Sequence, residues 1–586
     1  MKCQNCQKEF GFSENEKGFY QKMTVPEPTF CPACRLQRRM ALRNERSLYG
    51  RQCSGSDDRI ISYFDADAPF PVYSREYWYS DKWDGTKYGR DYDFTKPFFT
   101  QFAELAKVAP RLQMWIVNST NSDYSNYVVE SNDCYLCFTA LGGNEQCSYC
   151  SYLQHSLNCF DCYLIDKCEK CYECFNCDNS YDLKYSRDCS NCRSSAFLVE
   201  CNDCSDCVGC VGLRGKQYNI FNEQYMKEEY LAKLAELKLN TRAGIAKMKR
   251  QVDELSLKFP RRYMHGFKNE DVSGDYVNAS KCVHDGYLVA GNEDCEHVYF
   301  TRNVKSSQDV TVSTLGNEQL YECHAIPKQN FNLKFCDLCS NGCRDLEYSI
   351  NCDSSANLFG CIGLRGKEYC ILNKQYSKEE YEQLIPKIKE QMYAMAYIDT
   401  RGRSYKYGEL FPIEISPFAY NETVAYEFFP LTKEDAIAQG YHWKDVAHKE
   451  YQPTLQADEI PEVADETLAK ETIACAHSEG GCHHQCTTAF KPTVGELQFY
   501  KANQLPPSKL CPNCRHFERI KERNPVKLWK RPCDCAGDAS ADAVYRNQIP
   551  HPLHKSDKCS NEFMTAYAPD RPAIVYCESC YQQEFS

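Results

Sequence analysis

A multidomain, mainly β fold is predicted, with tandem-duplicated parallel β-solenoid (β-helix-like) units carrying helical caps and flanked by N- and C-terminal zinc ribbons. Three observations predict it. Cysteine supplies 40 of the 586 residues in separate blocks: five before residue 54, sixteen from Cys134 to Cys210, nine from Cys282 to Cys370 and ten from Cys475 onward. Paired C-x-x-C turns stand at both ends. A central stretch occurs twice, Val211-Gly-Leu-Arg-Gly-Lys-Gln-Tyr returning as Ile362-Gly-Leu-Arg-Gly-Lys-Glu-Tyr.

A chain this long exceeds one hydrophobic core. No apolar run reaches the ~18 residues of a membrane span. Cys3 and Cys6 follow the first residue at once, and no signal peptide is expected. A cytoplasmic setting with reduced thiols is therefore expected, which ranks metal binding and burial above disulfides. The net charge of -12 argues against a globally basic nucleic-acid binder. Arginine and lysine nevertheless gather in two patches, Cys31 to Arg51 and Cys511 to Arg531.

Residues 1–54 are expected to form a zinc ribbon with a basic helix. Cys3, Cys6, Cys31 and Cys34 supply the four thiolates of a tetrahedral site. Residues 7–30 suffice for a hairpin with an apolar face of Phe10, Phe12, Phe19 and Tyr20. Residues 55–115 are aromatic-rich and connect the ribbon to the solenoid, with a helix over Pro97–Val108. Residues 116–222 and 264–372 are the two solenoid copies. In the first, Cys147, Cys159 and Cys171 are twelve apart, as are Cys177, Cys189 and Cys201. Short repeats that return a small apolar residue to one place suit stacked coils, and free Cys packs as a compact hydrophobe.

The run Cys168-x2-Cys171-x2-Cys174-x2-Cys177 also resembles half of a ferredoxin. Its last gap is two rather than three, no proline comes after it, and the second copy lacks counterparts of Cys168 and Cys171, so an Fe–S cluster is not expected. Helical caps are predicted at residues 223–263 (Lys227–Lys238 and Gly244–Phe259) and 373–400. The latter opens on the capping box Ser377-Lys-Glu-Glu380 and is interrupted near Pro386. Residues 401–470 form a second connection and an acidic linker.

Residues 471–535 repeat the ribbon and its basic helix through Cys482, Cys486, Cys511 and Cys514, with Cys475 the alternative first ligand. The tail, 536–586, adds a third zinc site from Cys535, Cys559, Cys577 and Cys580, with Cys533, His551 and His554 in reserve. Two to three Zn²⁺ per chain are expected. No catalytic motif stands out.

Phe30-Cys-Pro-Ala-Cys-Arg-Leu-Gln-Arg-Arg, Tyr79-Ser-Asp-Lys-Trp-Asp, Asn121-Ser-Asp-Tyr-Ser-Asn-Tyr and Tyr567-Ala-Pro-Asp-Arg-Pro-Ala-Ile-Val-Tyr resemble an uncharacterised zinc-ribbon, Cys-rich repeat family of candidate-phyla (Patescibacteria-type) bacteria. The terminal knuckles resemble the probable treble-clef zinc ribbon. The resemblance implies an architecture and no activity. The expected function is a non-enzymatic zinc scaffold. Arg35, Arg38, Arg39, Arg43, Arg46, Arg515, Arg519 and Arg523 would contact RNA, DNA or a ribonucleoprotein. The alternatives are a protein-interaction scaffold using the solenoid face, and an Fe–S redox or metal-storage protein using the central cysteines.

Overall fold

The computed structural model describes residues 1–445, 451–478, 482, 485–551, 554 and 557–585. Most of residues 116–371 form parallel β-solenoid. The first run of coils carries two parallel sheets. One extends from Ile116–Val117 to Arg187–Ser190, and the other from Tyr181–Lys184 to Gln217–Ile220. The second carries a ten-stranded sheet from Gly266–Phe267 to Lys374–Gln375. An antiparallel strand closes the end of each copy.

Neighbouring coils are mostly twelve residues apart, as in Ser151↔Tyr163, Tyr163↔Phe175 and Phe175↔Arg187. Every third residue lies in the left-handed region: Asn158, Asp161, Leu164, Lys167, Lys170, Glu173, Asn176 and Asn179 have φ between 47° and 58°. A corner every third residue makes four sides per coil. Asn, Asp and Gly tolerate that conformation best, which explains their frequency between the cysteines.

The residue after each corner points inward, so each coil offers four interior positions. Cys168, Cys171, Cys174 and Cys177 fill one layer, and Ser180, Leu183, Ser186 and Cys189 the next, all at most 2 % exposed. The C-x-x-C runs of the solenoid thus express a period of three. The interior is too narrow for rings, and the aromatics stand outside it. Buried serines and cysteines also satisfy backbone groups. Ser156 Oγ donates to the Gln154 carbonyl and accepts from Cys168 N, while Cys150 Sγ donates to the Cys159 carbonyl and accepts from Cys162 N. Serine can therefore replace cysteine along the ladder. Burial pushes the thiols of Cys336, Cys352 and Cys361 well up, as expected for protonated core groups.

The Gly-Leu-Arg-Gly-Lys segments are structural turns. Gly363 has φ +70°, and a Cβ there would lie 3.0 Å from Trp78. Helices Lys227–Glu236 and Arg242–Ser256 pack on the first solenoid through Tyr230, Ile245, Met248 and Val252, against Phe197, Val208 and Ile220. Lys378–Ala394 is continuous through Pro386, held by buried Ile388 and Met392. Trp78 and Trp83 form a small core with Phe70 and Tyr73, and the helix Phe98–Ala106 packs on Tyr348 and Phe359. The segment expected as an acidic linker is packed too: Ala464 and Leu468 join Tyr149, Phe160 and Tyr172.

Candidate metal centres

The N-terminal module is a knuckle followed by two helices. Residues expected to form a hairpin are instead the helix Glu14–Lys22, because Ser13 and Glu16 form a reciprocal capping box. Cys31 occupies the N-cap position of the second helix, Pro32–Met40, without a side-chain capping bond and with proline at the first helical position. The second module repeats this with Val494–Ala502, capped by Thr493, and Pro512–Ile520, capped by Cys511.

Within each of three quartets every Sγ lies within 4.8 Å of the others: Cys3, Cys6, Cys31 and Cys34; Cys475, Cys486, Cys511 and Cys514; Cys533, Cys559, Cys577 and Cys580. Zinc–thiolate bonds of ~2.3 Å in a tetrahedron place the sulfurs ~3.8 Å apart. Cys6 and Cys31 are 3.7 Å apart, Cys486 and Cys511 4.0 Å, and Cys559 and Cys577 3.9 Å. The donor sets therefore fit zinc. In each quartet neighbouring thiols hold one member well below the usual thiol range: Cys3 beside Cys31, Cys511 beside Cys475, and Cys577 beside Cys533.

One contact identifies equivalent positions. Cys31 N donates to Cys3 Sγ (3.3 Å), Cys511 N to Cys475 Sγ (3.3 Å) and Cys577 N to Cys533 Sγ (3.2 Å). Cys475 therefore takes the place expected for Cys482, and Cys533 that expected for Cys535. The C-x3-C spacing of Cys482 and Cys486 obscured the first. Cys482 instead joins His477 and Cys514 in a smaller group. Cys535 lies with His551, His554 and Cys580.

The tail quartet has an internal counterpart. Strands Tyr49–Gln52 and Arg59–Ser62 pair as Trp529–Pro532 and Glu562–Thr565 do. Ser74 N donates to Cys53 Sγ at 3.2 Å, matching Cys577 N on Cys533. By register Cys53, Ser56, Ser74 and Tyr77 stand where Cys533, Cys559, Cys577 and Cys580 stand. The first copy keeps only the Cys53 thiol and packs it in an aromatic core.

The eight arginines face inward, contrary to the expectation of a nucleic-acid surface. Arg35 is fully buried and donates to Asp309 (2.9 Å) and the Phe30 carbonyl. Arg39 donates to the other Asp309 oxygen at 3.0 Å, and Arg38 lies between Glu322 and Glu409 with its guanidinium over Phe30. Arg43 pairs with Glu45, and Arg46 lies over Phe138. In the second module Arg515 and Arg519 each donate to Asp161 at 2.7 Å, while Arg523 binds the Tyr163 hydroxyl. The aspartates that Arg35, Arg39, Arg515 and Arg519 meet lie 270 to 358 positions away in the sequence.

The docking is crossed. The N-terminal helix sits on Asp309 of the second solenoid, and its counterpart on Asp161 of the first. The connection after the first module pairs as Val72–Tyr73 with Arg111–Leu112 ahead of the first solenoid, and Val575–Tyr576 pairs with Arg261–Arg262 ahead of the second. Arg35 and Arg39 outweigh burial and hold Asp309 at about 2. Burial prevails at Asp161, whose carboxyl is raised with Glu496 close by.

Among known families, the model described as a probable treble clef domain matches residues 1–42. No curated protein matches. A crystal structure from Desulfovibrio desulfuricans G20, assigned as an acetyltransferase, aligns over 50% of this chain and 77% of its own at 11% identity, with a TM-score of 0.09. That score carries no argument. The chain is a β-solenoid protein with a probable treble clef at its N-terminus and further Cys-rich clusters able to hold zinc.

Proposed function

We propose that the protein is a non-enzymatic scaffold. Zinc holds the terminal modules in shape, and the modules clamp two solenoid runs into one rigid body that receives a protein partner. The crossed arginine–aspartate docking carries this reading. It turns the basic helices into internal fasteners and leaves the solenoid faces and the clefts between them for recognition. A cleft of about 710 Å³ lies between the two solenoids and the tail, and Asp178, Asp188, Glu200 and Asp203 line it beside Arg214, Arg262 and His265. Its carboxylates suit a cationic protein segment and would repel a phosphate backbone. Contact with RNA, DNA or a ribonucleoprotein through the basic helices would require Arg35, Arg39, Arg515 and Arg519 to leave their ion pairs.

Fluorescence anisotropy at low salt tests the proposal, with a Lys/Arg-rich peptide, single-stranded RNA and duplex DNA each titrated with the full chain. The peptide should bind, the nucleic acids should not, and Asp178→Asn with Asp203→Asn should weaken peptide binding about tenfold. Nucleic-acid binding without peptide binding would overturn the protein-partner reading.

A further inference from the structure

We infer that the tail is a binuclear zinc centre in which the Cys580 thiolate bridges two ions. This deepens the reading that the terminal modules hold zinc and rests on it. Two groups of donors meet at one sulfur. Cys533, Cys559, Cys577 and Cys580 form one, and Cys535, His551, His554 and Cys580 the other, with every donor atom in a group within 4.8 Å of the rest. Two tetrahedral ions need eight ligand positions, and seven side chains fill them when one thiolate serves both.

The second group is built for a metal. His551 Nε2 faces Glu584 Oε2 at 3.2 Å, both side chains fully buried, and its Nδ1 lies 3.4 Å from Cys535 Sγ. Glu584 is itself fixed by Tyr545 Oη and Gln548 N, each donating at 2.7 Å. A carboxylate behind a histidine sets the tautomer that leaves the other nitrogen free to ligate. His554 Nδ1 donates to the Asp557 carbonyl at 2.8 Å and turns Nε2 to within 3.3 Å of Cys580 Sγ. Asn547 donates to Cys535 Sγ at 3.3 Å and Asn561 to Cys577 Sγ at 3.4 Å, as expected of groups that steady thiolates.

Charge favours the second ion. Five thiols release five protons to solvent and bind two Zn²⁺ as thiolates, leaving a net charge of -1, whereas one ion on the Cys quartet leaves -2 beside the Cys535 thiol. The internal counterpart points the same way. Residues 54–57 join Cys53 to Asp58, whereas residues 534–560 join Cys533 to Asn561 and carry Cys535, His551 and His554. The longer segment brings in the second donor set.

Metal-to-protein ratios of the full chain by elemental analysis test this, together with cadmium-113 NMR of the cadmium-exchanged wild type. His551→Ala with His554→Ala should lose one ion relative to wild type, and Cys580→Ser should lose two. The spectrum should contain one pair of cadmium resonances coupled to each other through the shared sulfur, a readout independent of variant folding. A histidine variant that keeps every wild-type ion, or a spectrum without a coupled pair, overturns the bridge. A chain with no zinc at all overturns the underlying reading instead.

Discussion

Replacing Asp309 by alanine leaves the guanidiniums of Arg35 and Arg39 buried without the carboxylate they share at 2.8–3.0 Å. Removing one side of a buried pair typically costs about 3–5 kcal/mol. Glu322, 3.6 Å from both arginines, recovers part of this, so the lower end applies. The loss falls on docking of the N-terminal module, since Asp309 belongs to the solenoid and both arginines to Pro32–Met40. A chain of this size does not unfold in two states, so global melting is the wrong measurement. Native-state hydrogen exchange isolates the local event, and about 3 kcal/mol lowers amide protection in Pro32–Met40 by ~10²-fold. Asp161→Ala should do the same to Pro512–Ile520 and spare the N-terminal helix. Replacing Arg35, Arg39 and Asp309 together with Met, Met and Leu should restore most of the protection. An Asp309→Ala chain whose N-terminal helix exchanges within about threefold of wild type would refute the role assigned to the pair.

Further expectations concern pH, the solenoid interior and one glycine. His297 bridges Asp285 and Glu16 of the N-terminal module; burial opposes its charge, but those carboxylates raise it to about 10. Its contribution is fully present below ~6.5 and is lost as pH rises through about 10, so protection in Glu14–Lys22 should decline over that window, and less in His297→Gln. Cys171→Ser should cost about 1 kcal/mol or less, because serine takes the equivalent place elsewhere, whereas Cys171→Leu should overpack the layer by about 1–3 kcal/mol, read by native-state hydrogen exchange of the surrounding solenoid amides. Gly274 has φ +138°, and a Cβ there would stand 1.7 Å from the Gly286 carbonyl oxygen, so Gly274→Ala should prevent accumulation of soluble protein.

Much of the solenoid was legible in the sequence, because a twelve-residue coil repeats its interior cysteines at fixed spacing. The period of three is shared by C-x-x-C knuckles and by the inward positions of the coils, so cysteine spacing alone does not separate the two. The spacing of Cys3, Cys6, Cys31 and Cys34 announced a site, while Cys475 was displaced by the competing Cys482 nearby. The helix Glu14–Lys22 carried a readable signal in Ser13-x-x-Glu16. The direction of the arginines did not, since Arg35 meets Asp309 across 274 positions and only tertiary structure brings such partners together.

The crossed docking also sets a timetable for synthesis. Arg35 leaves the ribosome 274 residues before the carboxylate it will meet. At roughly 5–20 residues per second the first module waits about 14–55 s for its seat to be made. Asp161, by contrast, is already in place when Arg515 emerges. The first module must therefore hold its shape before its seat exists, and a metal acquired early would give it a means to do so. The later module can close onto a finished surface. The first half of the newborn chain is thus the vulnerable one, and translation ending before residue 309 would release a module with nowhere to dock.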